Sequence, residues 1–409
     1  RIVIIFLDGL HHLQKFVDHN HSPQASSASI VKTTAHIKKQ AQETNNQPAQ
    51  IIQNNIVNVP EEIHPYISSH NALHIKIKHA RRTEMSPQPK TLDEINISDS
   101  LHSTLDGDLF LVRDSIIDQG RILLFTTRAN IQHLNQILFW IMDGTFKTVP
   151  TLFRQLYTIH APVGSENNSR ILPLVYILMT SKSEELYIKL FQDLINFAEE
   201  NDIQLKSSRI LTDFEQAAIN ASNIEFSGVT NKECFFYLGQ SGWRKIQNCG
   251  LATQYGENEH FSFMLRHLFA LAFLSQHEIS AAFDILKLEM SPEAKEVVQW
   301  FEDNYVHGRM RTQLRNGIPR TQNNVEAWYC RWETLIGQAH VGVYTIIKEF
   351  QKEQQKVEFQ IENILRGEQR PKPRKKILDR EKRIMTVVEN RANCTVMEFL
   401  HEIAHNLSL

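Results

Sequence analysis

Three runs of branched and aromatic residues, separated by short polar links, constrain this chain more than any other feature. They are Leu138 to Met142, Leu152 to Ile159 and Ile171 to Met179, each bounded by Gly, Pro, Asn or Ser. β-Branched and aromatic residues suit strands. Links this short join antiparallel neighbours, because a parallel return needs a crossover of about a dozen residues or more. Ser183 to Glu199 then places Leu186, Ile188, Leu190, Leu194, Ile195 and Phe197 at helical spacing. Ser208 to Leu211 reads as a short buried strand, Phe214 to Ala221 as a helix, and Cys234-Phe235-Phe236 as a further strand.

Taken in order, these elements give β-β-β-α-β-α-β, the order of an RNase H-like core, so the expected class is α/β with a mixed sheet. Two acidic residues stand at its strand ends. Asp143 follows an apolar run and precedes Gly144-Thr145-Phe146, and Asp213 follows Ile210-Leu211-Thr212. A carboxylate at the end of a buried strand is costly unless its charge is compensated. Two on adjacent strands repel one another and call for a divalent cation. Mg²⁺ suits such an all-oxygen site, completed by substrate phosphates, and a pair of ions can serve phosphodiester chemistry. Singly, each Asp is better read as an ordinary strand-end turn residue; together, with the element order and Glu326 downstream, the metal reading is the stronger. Asn323 or Asn324 can cap a helix, which puts Glu326 in its first turn. There it either complements the helix dipole or faces the two Asp residues.

Met142-Asp143-Gly144-Thr145-Phe146-Lys147, Gln155 to His160, Asp213-Phe214-Glu215-Gln216-Ala217-Ala218, Gln240 to Gln247 and the Asn-Asn-x-Glu of Asn323 to Glu326 resemble, in order, blocks of Mutator-like element (MULE) transposases. The resemblance spans residues 105–350. It implies an RNase H-like domain with a helical insertion at about 238–310, and a metal-binding D-D-E triad of Asp143, Asp213 and Glu326 acting with Mg²⁺ or Mn²⁺. The implied partners are transposon terminal repeats and target DNA, the implied reaction is DNA cleavage and strand transfer by a homo-oligomer on DNA, and the implied location is the nucleus. The chain departs from the family at two points. Where the family often has Cys-x-x-His it has Cys234-Phe235-Phe236-Tyr237, and where His often follows the Trp of the Glu block it has Tyr329. Neither departure is expected to touch the triad, and Cys234 is expected in the core. Residues 1–25, through His19-Asn20-His21, resemble the end of a FLYWCH-type zinc finger. Zn²⁺ needs about four ligands, and the expected upstream Cys pair is absent, so His19 and His21 hold zinc only if a longer chain completes the finger.

The rest of the chain supplies candidate nucleic-acid contacts. Net charge is only −2, so DNA binding must rest on local patches. Residues 26–92 read as a helical N-terminal region, with His74, Lys76, Lys78, His79, Arg81 and Arg82 as a basic stretch before Pro87 and Pro89. Trp243, Arg244 and Lys245 either meet DNA or divide between core packing and solvent. Arg309, Arg311, Arg315 and Arg320 lie just before the Glu block, as phosphate contacts or a solvated loop. Residues 351–409 read as a helical, basic tail, with Arg370 to Lys376 as a candidate DNA or nuclear-localisation patch. Four Cys without paired spacing argue against a disulfide framework. No apolar run approaches the roughly 20 residues that span a bilayer. A chain that starts at Arg1 is expected to be a fragment. Three functions follow: an active DNA transposase, a domesticated or decayed relative that binds DNA without catalysis, and a nuclease of the same fold, against which the long helical insertion argues.

Overall fold

The computed structural model describes residues 3–7, 10–15, 25–44, 46, 48–57, 59–83, 87–137, 139–165, 168–213, 215–233, 235–307, 323–337, 339–371 and 374–407. They fall into two units, Arg1–Gln88 and Pro89–Leu409. In the first, strands β1 (Val3–Leu7) and β2 (Leu10–Lys15) form an antiparallel hairpin. Helices α1 (Ala25–Glu43), α2 (Pro48–Ile56) and α3 (His70–Thr83) surround a small core of Ile37, Ile51, Ile52, Leu73 and Ile77. Leu73, Ile77 and Ala80 recur at helical spacing, which buries one stripe of α3 and leaves His74 and His79 exposed.

The second unit is built on a seven-stranded sheet. Its strands are β3 (Leu111–Ile117), β4 (Gly120–Phe125), β5 (Phe139–Thr145), β6 (Gln155–Val163), β7 (Arg170–Met179), β8 (Arg209–Thr212) and β9 (Thr230–Glu233). Their order is β3-β4-β7-β6-β5-β8-β9. β5, β6 and β7 pair antiparallel, while β8 and β9 continue parallel to β5. This is a mixed α/β fold. Two details differ from the sequence reading. The hairpin β3/β4, which that reading did not name, widens the sheet at the β7 edge. The last strand is the polar Thr230–Glu233 rather than Cys234-Phe235-Phe236; an edge strand needs no apolar face, and the aromatic residues after it open a helix instead.

Along the chain the helices of this unit are α4 (Asp99–His102), α5 (Arg128–Asn135), α6 (Glu184–Glu199), α7 (Gln216–Glu225), α8 (Phe235–Asn248), α9 (Ala252–Glu257), α10 (Glu259–Ala270), α11 (Gln276–Glu289), α12 (Lys295–Phe301), α13 (Asn323–Ile336), α14 (Val343–Leu365), α15 (Lys375–Glu389) and α16 (Val396–Asn406). Alternation along β5 decides which side each residue serves. Trp140 and Met142 enter one core, with Leu190, Phe191 and Leu194 of α6. Ile141 enters the other, with Leu211 of β8, Trp328 and Trp332 of α13, and Phe350 of α14. Asp143 is two residues beyond Ile141 and so faces the α13 side. The ring of Trp332 stacks on both Trp328 and Phe350, with centroids 5.3 and 5.4 Å away, and fixes α13 against that face.

Helices α8 to α12 have a core of their own, centred on Phe269, Phe283 and Phe301. The residues after 351 do more than form a tail, because Ile384, Phe399, Leu400 and Ile403 complete that core. α16 begins with a capping box, Thr395 and Glu398 each satisfying the other's backbone N–H. Arg266 on α10 donates to the Leu407 carbonyl at 3.1 Å. Among the described residues, no helix is long and apolar enough to cross a membrane.

Candidate functional site

β5 and β8 run parallel, with Phe139 opposite Arg209, Trp140 opposite Ile210 and Ile141 opposite Leu211. Two residues further along the same register come Asp143 and Asp213. Asp143 is still within β5 and Asp213 is the first residue after β8, so each follows the stretch that pairs β5 with β8. Asp143 is 2% exposed, whereas Asp213 is half-buried at the mouth of the strand pair. The backbone N–H of Gly144 donates to Asp143 Oδ1 at 2.8 Å. The N–H of Glu215 and the hydroxyl of Thr212 each donate to Asp213 Oδ1 at 3.3 Å.

Glu326 arrives from the other side. It lies in the first turn of α13, whose Val325, Trp328, Tyr329 and Trp332 are buried against the sheet. Tyr237, in the first turn of α8, connects the two sides. Its hydroxyl is 2.8 Å from Asp143 Oδ2 and 2.8 Å from Glu326 Oε1. A phenol carries one proton and cannot donate to two carboxylates at once. The arrangement is satisfied when one carboxyl keeps a proton of its own. Burial, then the charges of Asp213 and Glu326, push the Asp143 carboxyl up to about 8, so Asp143 is the group that holds it. Asp213 is raised too, first by burial and then by Glu215, with Lys182 opposing. Burial and the neighbouring Asp143 and Glu326 raise Tyr237 above the ordinary phenol range, which keeps its proton in place.

A second tyrosine grips the same residue through its backbone. Tyr329, one turn after Glu326 on α13, donates to the Asp143 carbonyl at 2.8 Å. Thr158, the cross-strand partner of Asp143, lies 2.8 Å from the Tyr329 oxygen and 2.9 Å from His160 Nε2. Since the Tyr329 proton goes to the carbonyl, Thr158 donates to Tyr329 and His160 donates to Thr158 through Nε2–H. Burial lowers His160 to about 3, so the ring is neutral and one nitrogen is the sole donor this chain requires.

Around Asp213 lies a further ring of partners. Glu215 is held by Lys182 at 2.8 Å and by the Tyr187 hydroxyl at 2.9 Å, and Gln155 donates to Tyr187 at 2.7 Å. Glu215 is thus occupied with structural partners, while its charge still acts on Asp213. Among the described residues, no group of three or more His, Cys, Asp or Glu side chains is placed so that it could hold a metal ion. Mg²⁺ does not need one: it keeps several waters and takes one or two carboxylates plus substrate oxygens. The buried, mutually repelling Asp143 and Asp213, with Glu326 tied to the first, have the chemistry of such an open site.

Asp143 has both Asp213 and Glu326 as charged neighbours, but the three are not gathered into a ligand group. Trp243 meets Tyr255 edge-on at 5.4 Å and packs on the helical core, Lys245 faces Glu296 at 3.8 Å, and Arg244 is exposed. His19, His21, Cys234, Arg309, Arg311, Arg315 and Arg320 lie outside the described residues. The sequence reading is corrected on one point. Tyr237 and Tyr329, which it set apart from the triad, both bond to Asp143. The signal was present, since these are the two positions where tyrosine replaces the histidine of the resembling family. Comparison with curated proteins gives no match. Residues 139–241 match the family model of the MULE transposase domain, a stretch that holds Asp143, Asp213 and Tyr237 and stops short of Glu326.

Proposed function

We propose that this chain is a DDE-type DNA transposase with an RNase H-like core, in which Asp143, Asp213 and Glu326 hold Mg²⁺ or Mn²⁺ for cleavage and strand transfer at transposon ends. The observation that carries the reading is that Asp143 and Asp213 each stand two residues beyond the last paired residues of the parallel strands β5 and β8, with Glu326 joined to Asp143 through one hydroxyl. The match to the MULE transposase domain over residues 139–241 supports it. So does the strand order β7-β6-β5-β8-β9, three antiparallel strands followed by two parallel ones, which is the arrangement of RNase H-like sheets.

On this reading Asp143 and Asp213 offer oxygens to the ions, and Glu326, in the first turn of α13, offers a third carboxylate. Bound there, divalent ions would activate the attacking hydroxyl and steady the leaving oxygen of the phosphodiester. The chain's own contribution is placement. Stacked Trp328 and Trp332 fix α13, and Tyr329 pins it to the backbone of Asp143, so the third carboxylate is positioned before substrate arrives. Hydrolysis transfers the phosphorus from its bridging 3′-oxygen to water and frees a 3′-hydroxyl. That hydroxyl then attacks a target phosphodiester and displaces the target strand's 3′-oxygen, which leaves as a free 3′-hydroxyl, and no bond to the protein is formed.

A nicking assay on candidate terminal repeats, with Mg²⁺ or Mn²⁺ at one fixed salt concentration, tests the reading. Asp143→Asn, Asp213→Asn and Glu326→Gln should each abolish cleavage and leave DNA binding within a few-fold, because affinity rests on cationic contacts to phosphate. Cleavage surviving all three substitutions would exclude this triad. An inactive parent chain that still binds the repeats would indicate a domesticated protein that recognises DNA without cutting it.

A further inference from the structure

We infer that Tyr237 is a positioning residue of the metal site: its hydroxyl sets the spacing between Asp143 and Glu326. The inference rests on the metal-site reading above. Asp143 belongs to the sheet, Glu326 to a helix almost two hundred positions later in the chain, and neither bonds to the other. The phenol oxygen stands 2.8 Å from one oxygen of each, so those two oxygens are no farther apart than twice that distance. An ion taking one oxygen from each needs them within about 4 Å, twice a Mg–O bond of about 2.1 Å. Two carboxylates left to themselves repel, and Glu326, half-exposed with three rotatable bonds, would swing toward water.

Tyr237 is also well placed to resist that movement. It lies in the first turn of α8, one residue before the buried Leu238 and two after the buried Phe235. Both of those belong to the core of the helical body, whereas Tyr237 itself packs on the core beneath α13. The ring is held by two cores, and only its oxygen projects between the carboxylates. Each carboxylate keeps a second oxygen, and on Asp143 that oxygen already takes the Gly144 N–H. The tyrosine therefore leaves lone pairs for a cation while fixing the direction in which they point, as partners behind metal ligands do.

The test measures Mn²⁺ affinity of the full chain by calorimetry or electron paramagnetic resonance, so that it does not depend on turnover. Tyr237→Phe removes one oxygen and keeps the packing. It should weaken Mn²⁺ binding about 10- to 100-fold, the usual effect of removing such a partner, with the circular dichroism spectrum and melting curve of the metal-free protein preserved. In a Glu326→Gln background the same substitution should change affinity less than about twofold, because its effect passes through Glu326. Equal affinity of parent and Tyr237→Phe would overturn the inference and leave the metal site standing. Tighter binding by Tyr237→Phe would also overturn it, since the hydroxyl would then be a competitor of the ion. A parent chain that does not bind Mn²⁺ would overturn the metal-site reading itself, and this inference with it.

Discussion

Replacing Asp143 with Asn should stabilise the metal-free protein at pH 8 and leave it almost unchanged at pH 4. The Asp143 carboxyl is raised from 3.8 to about 8 by burial and by the charges of Asp213 and Glu326. An acid raised on folding favours the folded state when protonated. That contribution is complete below 3.8 and is lost as pH rises to about 8, so stability falls across this window. At about 1.4 kcal/mol per pKa unit, a rise of roughly four units corresponds to at most on the order of 5 kcal/mol. Asn is the shape of the protonated acid. Its amide can donate to the Tyr237 oxygen while Tyr237 donates to Glu326, and its carbonyl can keep the Gly144 N–H. The variant should therefore hold a nearly flat stability profile where the parent declines. Thermal melts in EDTA between pH 4 and 8.5 would show it, as a gap of several degrees at pH 8, given roughly 2 °C per kcal/mol in a large domain. Mn²⁺ should then raise the melting temperature of the parent at pH 8 and not that of Asp143→Asn. Parallel profiles for parent and variant would refute the account of Asp143 as a buried acid pressed by its neighbours.

Two further outcomes follow from the same contacts. Tyr329→Phe removes the short bond to the buried Asp143 carbonyl and leaves it only the long 3.5 Å contact from Thr158, and should cost about 1–3 kcal/mol in urea unfolding; a loss below about 0.5 kcal/mol would mean that α13 is held without this bond. Gly242→Ala should destabilise the helical body by about 1–3 kcal/mol, because the added methyl would fall 2.2 Å from the Phe269 ring; proteolysis of that body under native conditions should accelerate, and an unchanged rate would mean that α8 and α10 can separate at little expense.

The strand that carries Asp143 and the one that leads into Asp213 were legible in the sequence because their apolar runs are long or sharply bounded. Helix α6 was legible from its spacing, and its Ser183 cap lies where the run begins. The register that sets the two Asp residues side by side was not legible, since pairing between β5 and β8 depends on a crossover of some sixty residues. The position of β9 differs by a few residues: its Thr-Asn-Lys-Glu has no apolar face to announce it, and the two Phe residues that follow open a helix. Tyr237 was visible only as a departure from a pattern. Which carboxylates it would meet depends on three elements converging, and no local property of residues 234–237 records that.

The last helices have a consequence for how the chain comes off the ribosome. α10 is completed by α16, and residues Phe269, Phe283 and Phe301 share a core with Phe399, Leu400 and Ile403. Those partners are separated by about a hundred residues, so at 5–20 residues per second the apolar surface of the helical body waits on the order of ten seconds for its cover. The nascent chain is then sticky along α10 for that whole interval, and a release or truncation before Val396 leaves the surface open permanently. Holdase chaperones that bind exposed Phe and Leu would have their clearest target there, and slow codons between residues 307 and 396 would lengthen the hazard.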